Sequence, residues 1–321
     1  MPLAEKALLA RIRRQAPTGR GVRTGGGDDC AVLRIPSGHE VLATTDFSLE
    51  GVHFRREWHS PEVVGHRCLT RGLSDIAAMG GNPIAVFVSL AVPRNLPQSW
   101  MDGFYKGLLK LARSCDVTLA GGDTAESPAG VLADIFALGS VPRDSAILRS
   151  QARPGDRIYV TGTLGGSAAA LRQLRSRKTI SPTPTEYPQH FFPVPRLLQG
   201  RAIRKLGLAS AMIDISDGLS TDLAHICRES GVAAQLDVAA IPRAHARRSL
   251  REVDLADALH GGDDYELLFT APRGKTVPAR IAHVPVHQIG EIRTGRPAIF
   301  LRENGKTRKL RPQGWEHFQK N

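Results

Sequence analysis

The chain has 321 residues, 43 Lys and Arg against 31 Asp and Glu, a formal charge of +12 and a hydrophobic content of 41%. That apolar share with mixed charge excludes a disordered chain, and no apolar run reaches the roughly 18 residues of a membrane span. Aromatic residues make up only 5%, too few for a base-stacking surface, so the basicity is read as solvated arginine and no nucleic-acid partner is expected. The opening MPLAEKALLARIRRQ has no uninterrupted hydrophobic segment and is not read as a secretory signal. Cys30, Cys68, Cys115 and Cys227 lie far apart with no CxxC pair. This argues against zinc and leads to the expectation of a reducing cytoplasm, with no membrane partner.

In chain order, helical spacing of apolar residues predicts a helix over Leu3–Arg14. Ala31–Ile35 and Val41–Thr45 flank Pro36-Ser37-Gly38 and read as a strand pair. Ser60-Pro61-Glu62 starts a helix that runs to Met79 and stops at Gly80-Gly81-Asn82-Pro83. A strand over Ile84–Val92, a helix over Pro97–Cys115 and strands over Val117–Ala120 and Val131–Val141 follow. The turn Arg153-Pro154-Gly155-Asp156 marks a boundary, giving domains over 1–150 and 151–321. Beyond it come a strand (Arg157–Thr161), a helix (Gly165–Leu174) and a Pro- and Ser/Thr-rich loop over Arg175–His190 that is expected to be mobile. Helix (Pro195–Leu206), strand (Ala211–Ile215), helix (Leu219–Glu229) and strand (Ala233–Val238) precede two further strands, Tyr265–Thr270 and Val286–Ile292. Without a strict βαβ repeat, the order predicts an α+β fold in two domains.

The chemistry lies in the aspartates. They gather in six clusters, four of them beside glycines: Gly27-Asp28-Asp29, Thr44-Thr45-Asp46, Leu73-Ser74-Asp75, Gly121-Gly122-Asp123, Asp214-Ile215-Ser216-Asp217-Gly218 and Gly262-Asp263-Asp264. Any one of these is ordinarily a turn or a cap, but six in one chain are harder to dismiss. Asp75 sits in a helical pattern between Leu73 and Ile76, where a carboxylate must be paired, protonated or bound to a cation. Hard oxygen ligands of this kind suit Mg²⁺, which bridges carboxylates to phosphates and offsets their mutual repulsion.

Common nucleotide motifs are absent. Gly274-Lys275-Thr276 and Gly305-Lys306-Thr307 mimic the end of a P-loop, but Phe269 and Phe300 stand where its leading glycine is required. No GxGxxG with a following acid, HRD, DFG, HExxH or GxSxG pattern occurs. Phosphate chemistry here would rest on Asp-held metal ions instead of a Lys-bearing loop.

The strings GGDDCAVL (26–33), TTDFSLEGVHF (44–54), GHRCLTRGLSDIAAMGGNP (65–83), LAGGDTAESP (119–128), LRSQARPGDRIYVTGTLGGSAAAL (148–171), AMIDISDGLSTDLAHI (211–226), GGDDYELLFT (261–270) and GWEHF (314–318) resemble the thiamine-monophosphate kinase family. That family belongs to the superfamily of aminoimidazole ribonucleotide synthetase, selenophosphate synthetase and a hydrogenase maturation factor. The resemblance implies an N-terminal α/β domain with a mixed sheet that dimerises, binding ATP and Mg²⁺, and a C-terminal α+β domain that completes the substrate site. It implies phosphorylation of thiamine phosphate to thiamine diphosphate by direct transfer from ATP, with several Mg²⁺ ions and no covalent nucleophile. The alternative is a related superfamily enzyme acting on another phosphate or carboxylate. Matched position by position, the resemblance implies metal ligands at Asp29, Thr44, Thr45, Asp46, Asp75, Asp123, Asp214 and Asp217. It implies ATP contacts at Tyr105, Gly122, Asp123, Arg149 and Ser216, and substrate contacts at His53, Asp263 and Trp315. At Asp263 the family usually has Glu, so this carboxylate is one methylene shorter.

Overall fold

The computed structural model describes residues 2–3, 5–16, 19, 21–26, 29–176, 181–246 and 251–318. The chain divides into two compact units, Met1–Ile76 with Gly81–Ser145, and Ala77–Gly80 with Ala146–Asn321. In chain order the first contains helix α1 (Glu5–Gln15), strands β1 (Val22–Thr24), β2 (Val32–Leu33) and β3 (His39–Leu49), helix α2 (Pro61–Ala78), strand β4 (Asn82–Val92), helix α3 (Gln98–Ser114) and strands β5 (Thr118–Glu126) and β6 (Leu132–Pro142). Ala77 and Ala78, the last two residues of α2, group with the second unit.

The first unit is built on a mixed four-stranded sheet ordered β3-β6-β4-β5, with β4 and β5 parallel and the other pairs antiparallel. The expected pairing of the strands around 31–35 and 41–45 does not form. β2 pairs β1 in a separate two-stranded sheet, and β3 pairs β6 along its whole length. The reason is length: β3 and β6 both have 11 residues and β2 only two, so β6 satisfies every ladder position that β2 would leave open. One sheet face is apolar and buried against α2 and α3, where Leu69, Leu73, Phe104 and Leu108 are fully buried. The two helices touch backbone to backbone. A Cβ on Gly65 would lie 1.9 Å from the Phe104 carbonyl oxygen, and one on Gly107 would lie 2.0 Å from that of Glu62. Only glycine permits that approach.

The second unit contains strand β7 (Arg157–Thr161), helices α4 (Gly166–Arg175), α5 (Pro188–Phe191) and α6 (Leu197–Lys205), strand β8 (Ala211–Asp214), helix α7 (Leu219–Ser230), strand β9 (Ala233–Asp237), helix α8 (Leu255–His260) and strands β10 (Leu267–Ala271), β11 (Arg280–Ile281), β12 (Val284–Arg293), β13 (Ala298–Glu303) and β14 (Lys306–Leu310). Its sheet runs β14-β13-β9-β12-β7-β10-β8, with β11 beside β12. β9 and β13 are parallel, and the remaining pairs are antiparallel. Ile158, Ile213, Leu223, Ile226 and Leu268 form part of its core. The α+β expectation holds for both units.

Two further differences from the sequence reading are instructive. Of the stretch expected to be a mobile loop, 177–180 lie outside the described residues, but Tyr187 and His190 are buried, as is Phe191 directly after it. Gln173 Nε2 donates to the Tyr187 hydroxyl at 2.5 Å, and His190 Nδ1 lies 2.9 Å from the Ser167 hydroxyl. These aromatic anchors override the loop-like composition around them. The second P-loop mimic is part of a hairpin. Asn304 and Gly305 take φ of 49° and 77° as the two-residue turn joining β13 and β14, and Lys306 opens the edge strand. Asn-Gly between two alternating segments is the signal that would have found it. Among the described residues no helix is long and apolar enough to cross a membrane.

Candidate active site

In the first unit, strand alternation sorts the Thr-Thr-Asp motif onto two faces. Leu42, Thr44, Asp46 and Ser48 share the parity that points at α2, and Leu42 and Ser48 are buried there. Thr44 donates its hydroxyl to Asp75 Oδ2 at 2.5 Å. Arg71, one turn before Asp75 on α2, lies 3.5 Å from Asp46 Oδ1. The Thr45 hydroxyl is on the other face, donated to Asp134 Oδ1 of β6 at 2.7 Å. Thr44, Asp46 and Asp75 are therefore brought together, and the Thr45 side chain is not with them. Arg71 and Asp134 were not singled out by the sequence, because their partners lie 25 and 89 residues away.

His53 follows β3 in a tight turn. Its Nδ1 accepts the Leu49 amide N–H at 3.0 Å, which leaves the ring proton on Nε2. A separate cleft of about 990 Å³ in this unit is lined by Asp29, Tyr105, Gly122, Asp123, Phe87 and Phe136 among others. Tyr105 is buried, and that burial raises its phenol pKa well above the usual value, with a hydrogen bond to Thr124 acting the other way. Gly122 sits in β5 with φ of 147°, and a Cβ there would lie 2.0 Å from the Val88 carbonyl oxygen of β4. The cleft wall at this point is therefore bare backbone.

In the second unit three distant motifs are tied together by main-chain bonds. The Asp263 amide donates to the Ser216 carbonyl at 2.8 Å, and the Tyr265 amide to the Ile215 carbonyl at 2.9 Å. The Trp315 amide donates to the Asp217 carbonyl at 3.0 Å. The glycines permit this closeness, since a Cβ on Gly314 would lie 2.1 Å from the Asp217 carbonyl oxygen. Asp263 and Tyr265 both hold positive φ, 62° and 51°, and the Tyr265 hydroxyl donates to Asp263 Oδ1 at 2.7 Å. Strained residues of this kind concentrate at functional sites. Arg149 is exposed, and its charge helps lower the pKa of His225, after the larger effect of burial.

Asp222, in the first turn of α7, is a further site carboxyl that the sequence reading missed. It accepts the amides of Asp217 and Gly218 at 3.2 and 3.0 Å. Burial, then the nearby charges of Asp214 and Asp217, push its pKa well above the usual carboxylate range. An acidic residue four positions after Gly218 at a helix start was the available clue.

These donors fit a hard divalent cation in kind: all are carboxylates and hydroxyls. The crowding of Asp214, Asp217 and Asp222 is an electrostatic load that a cation relieves. Among the described residues no three His, Cys, Asp or Glu side chains form a metal-holding group by themselves. Mg²⁺ rarely asks for such a cage, since it keeps waters and uses one or two carboxylates plus substrate phosphates.

Residues 27–141 match the family described as AIR synthase related protein, N-terminal domain, and residues 153–297 match its C-terminal domain. The chain is 38% identical to thiamine-monophosphate kinase of Salmonella typhimurium over 330 aligned positions, covering 99% of both. The crystal structure of thiamine-monophosphate kinase from Stenotrophomonas maltophilia K279a is similar with a TM-score of 0.81 at 35% identity, over 95% of this chain and 98% of that one. A structure of AaThiL complexed with AMPPCP and TMP is similar with a TM-score of 0.78 at 32% identity, over 89% of each chain. Full-length identity and shared fold together place the chain in the thiamine-monophosphate kinase family.

Proposed function

We propose that this chain is an ATP-dependent kinase that phosphorylates thiamine phosphate to thiamine diphosphate with Mg²⁺, by in-line transfer of the γ-phosphoryl group to the substrate phosphate. The observation that carries this reading is the main-chain locking of the Asp214–Gly218 loop, the Asp263 turn and Trp315 onto one patch. Two anionic ends and a cationic ring must be held at one place in this reaction, and this patch offers acids beside an aromatic. The names and bound ligands of the relatives support the same reading.

In this reading Asp29, Thr44, Asp46, Asp75, Asp123, Asp214 and Asp217 hold the magnesium ions, with Thr45 contributing through its backbone oxygen. Bound Mg²⁺ supplies charge neutralisation between the two phosphates and holds them in line. Tyr105, Gly122, Arg149 and Ser216 bind the nucleotide, with the bare backbone at Gly122 allowing close approach and the exposed Arg149 fork gripping phosphate oxygens. His53, Asp263 and Trp315 bind thiamine phosphate. No side-chain nucleophile or general base is needed, since a phosphate monoester is already anionic at neutral pH and orientation does the remaining work. The protein is proposed to work as a homodimer in the cytoplasm. The outer sheet face supports the first, with Val41, Phe47 and Phe136 exposed on β3 and β6. The four free cysteines support the second.

The direct test is purified protein with ATP, Mg²⁺ and thiamine phosphate, read by formation of thiamine diphosphate. ATP binding without that product would overturn the substrate assignment in favour of a related superfamily reaction. Trp315→Ala is expected to raise KM for thiamine phosphate roughly tenfold through lost cation–π attraction. Its melting temperature should stay close to wild type, because Trp315 is 47% exposed. An unchanged KM would remove Trp315 from the substrate site.

A further inference from the structure

The turn that carries Asp263 is held by a carboxyl outside the ligand set above. Asp264 is buried, and its Oδ2 accepts the Gly165 amide N–H at 2.8 Å, at the residue that starts α4. α4 has no side-chain cap of its own at Gly165, so Asp264 caps it from 99 residues away. Its Oδ1 is buried with no hydrogen-bond partner among the described residues. A charged oxygen would be costly there, whereas a neutral carboxyl keeps one acceptor for the amide. Burial pushes the Asp264 carboxyl well above the usual carboxylate range, outweighing the amides of Gly165 and Ser167.

Packing around this carboxyl is close. A Cβ on Gly165 would lie 2.6 Å from the Ala258 nitrogen, one on Gly261 2.4 Å from the Ala168 Cβ, and one on Gly262 2.4 Å from the Ser216 carbonyl oxygen. The turn therefore has no room to shift without losing the Asp264 bond. On either side of Asp264, Asp263 and Tyr265 stay in left-handed backbone, a strained conformation that persists only where the surroundings impose it.

We propose that Asp264 is a positioning residue for substrate recognition: its bond to the Gly165 amide fastens the 261–265 turn to the start of α4 and thereby aims the Asp263 carboxylate, steadied by the Tyr265 hydroxyl, at the substrate. This rests on the reading of Asp263 as a thiamine phosphate contact. It also gives this chain's shorter carboxylate a defined direction, where a Glu would add one more rotatable bond.

The test compares wild type, Asp264→Asn and Asp264→Ala by steady-state kinetics and by amide hydrogen exchange. Asn keeps the acceptor and the shape without charge, so KM for thiamine phosphate should stay within about twofold of wild type. Ala removes the acceptor, so KM for thiamine phosphate should rise roughly tenfold while KM for ATP changes less than about twofold. Exchange should quicken across 163–168 and 261–266 in the Ala variant only. A lower melting temperature with both KM values unchanged would reduce Asp264 to a structural residue and overturn the proposal, as would unaltered exchange in Ala. If Asp264→Ala does not fold, Asp264→Leu, which fills the space but has no acceptor, is measured instead with the same two outcomes. If wild type does not act on thiamine phosphate, the functional reading fails separately, and exchange in the variants still decides whether Asp264 pins the turn.

Discussion

Asp75→Asn is expected to lower kcat/KM for thiamine phosphate roughly a thousandfold, the several kcal/mol that charge stabilisation at a phosphoryl-transfer site is worth. Its fold should survive. Asp75 is only half-buried and its Oδ2 accepts the Thr44 hydroxyl, a hydroxyl that can turn to meet an amide of the same shape. Thermal denaturation should place the variant within about 1 kcal/mol of wild type, the range of substitutions that leave packing intact. The combination of lost turnover and retained stability separates a ligand from a buried packing residue. A variant with near-normal turnover would exclude Asp75 from the metal set.

Arg196→Ala carries the largest expected effect on stability. Arg196 Nε donates to Glu266 Oε2 at 2.6 Å, and its Nη2 pairs with Oε1. Glu266 is 4% exposed and also accepts the Thr161 hydroxyl at 2.6 Å. Gly162 stands against it, since a Cβ there would lie 2.1 Å from Glu266 Oε1. Truncating the arginine leaves an uncompensated charge in this space, at a cost of about 3–5 kcal/mol. For a unit of this size that corresponds to a fall in melting temperature of roughly 10 °C. Adding Glu266→Gln should recover much of the loss, because the buried charge is then removed as well. A fall of less than about 1 kcal/mol in the single variant would show that solvent already satisfies Glu266. Strand β10 begins one residue after Glu266, so this ion pair also anchors the turn carrying Asp263.

Helices and long strands of the first unit are legible in the chain because they are written locally. The Pro61 start of α2, the glycine stop after it and the amphipathic pattern of α3 each lie within a few turns of one another. The missed elements are short or depend on partners. β1 and β2 have three and two residues and no periodicity to read. α5 exists because Tyr187, His190 and Phe191 are buried, which the polar residues around them conceal. The β13–β14 hairpin is legible in its Asn304-Gly305 turn, even though Gly305-Lys306-Thr307 also mimics the end of a P-loop.

The site divides in the same way. The sequence by itself determined the residue types: aspartates beside glycines, an all-oxygen donor set, and an aromatic close to the C-terminus. These are local chemistry, and they exclude a Lys-bearing phosphate loop, a zinc site and a hydrolase elbow without any coordinates. Only the tertiary structure decided which face of β3 each member of Thr44-Thr45-Asp46 uses, because that depends on which strand pairs with it. Only the tertiary structure brought Asp217, Asp263 and Trp315 to one patch, through main-chain bonds between segments far apart in the chain. It alone showed that Asp222 and Asp264 are buried and that burial pushes both carboxyls above the usual carboxylate range. A carboxyl's charge state is set by what excludes water from it and by which charges face it, and neither is written in its immediate neighbours.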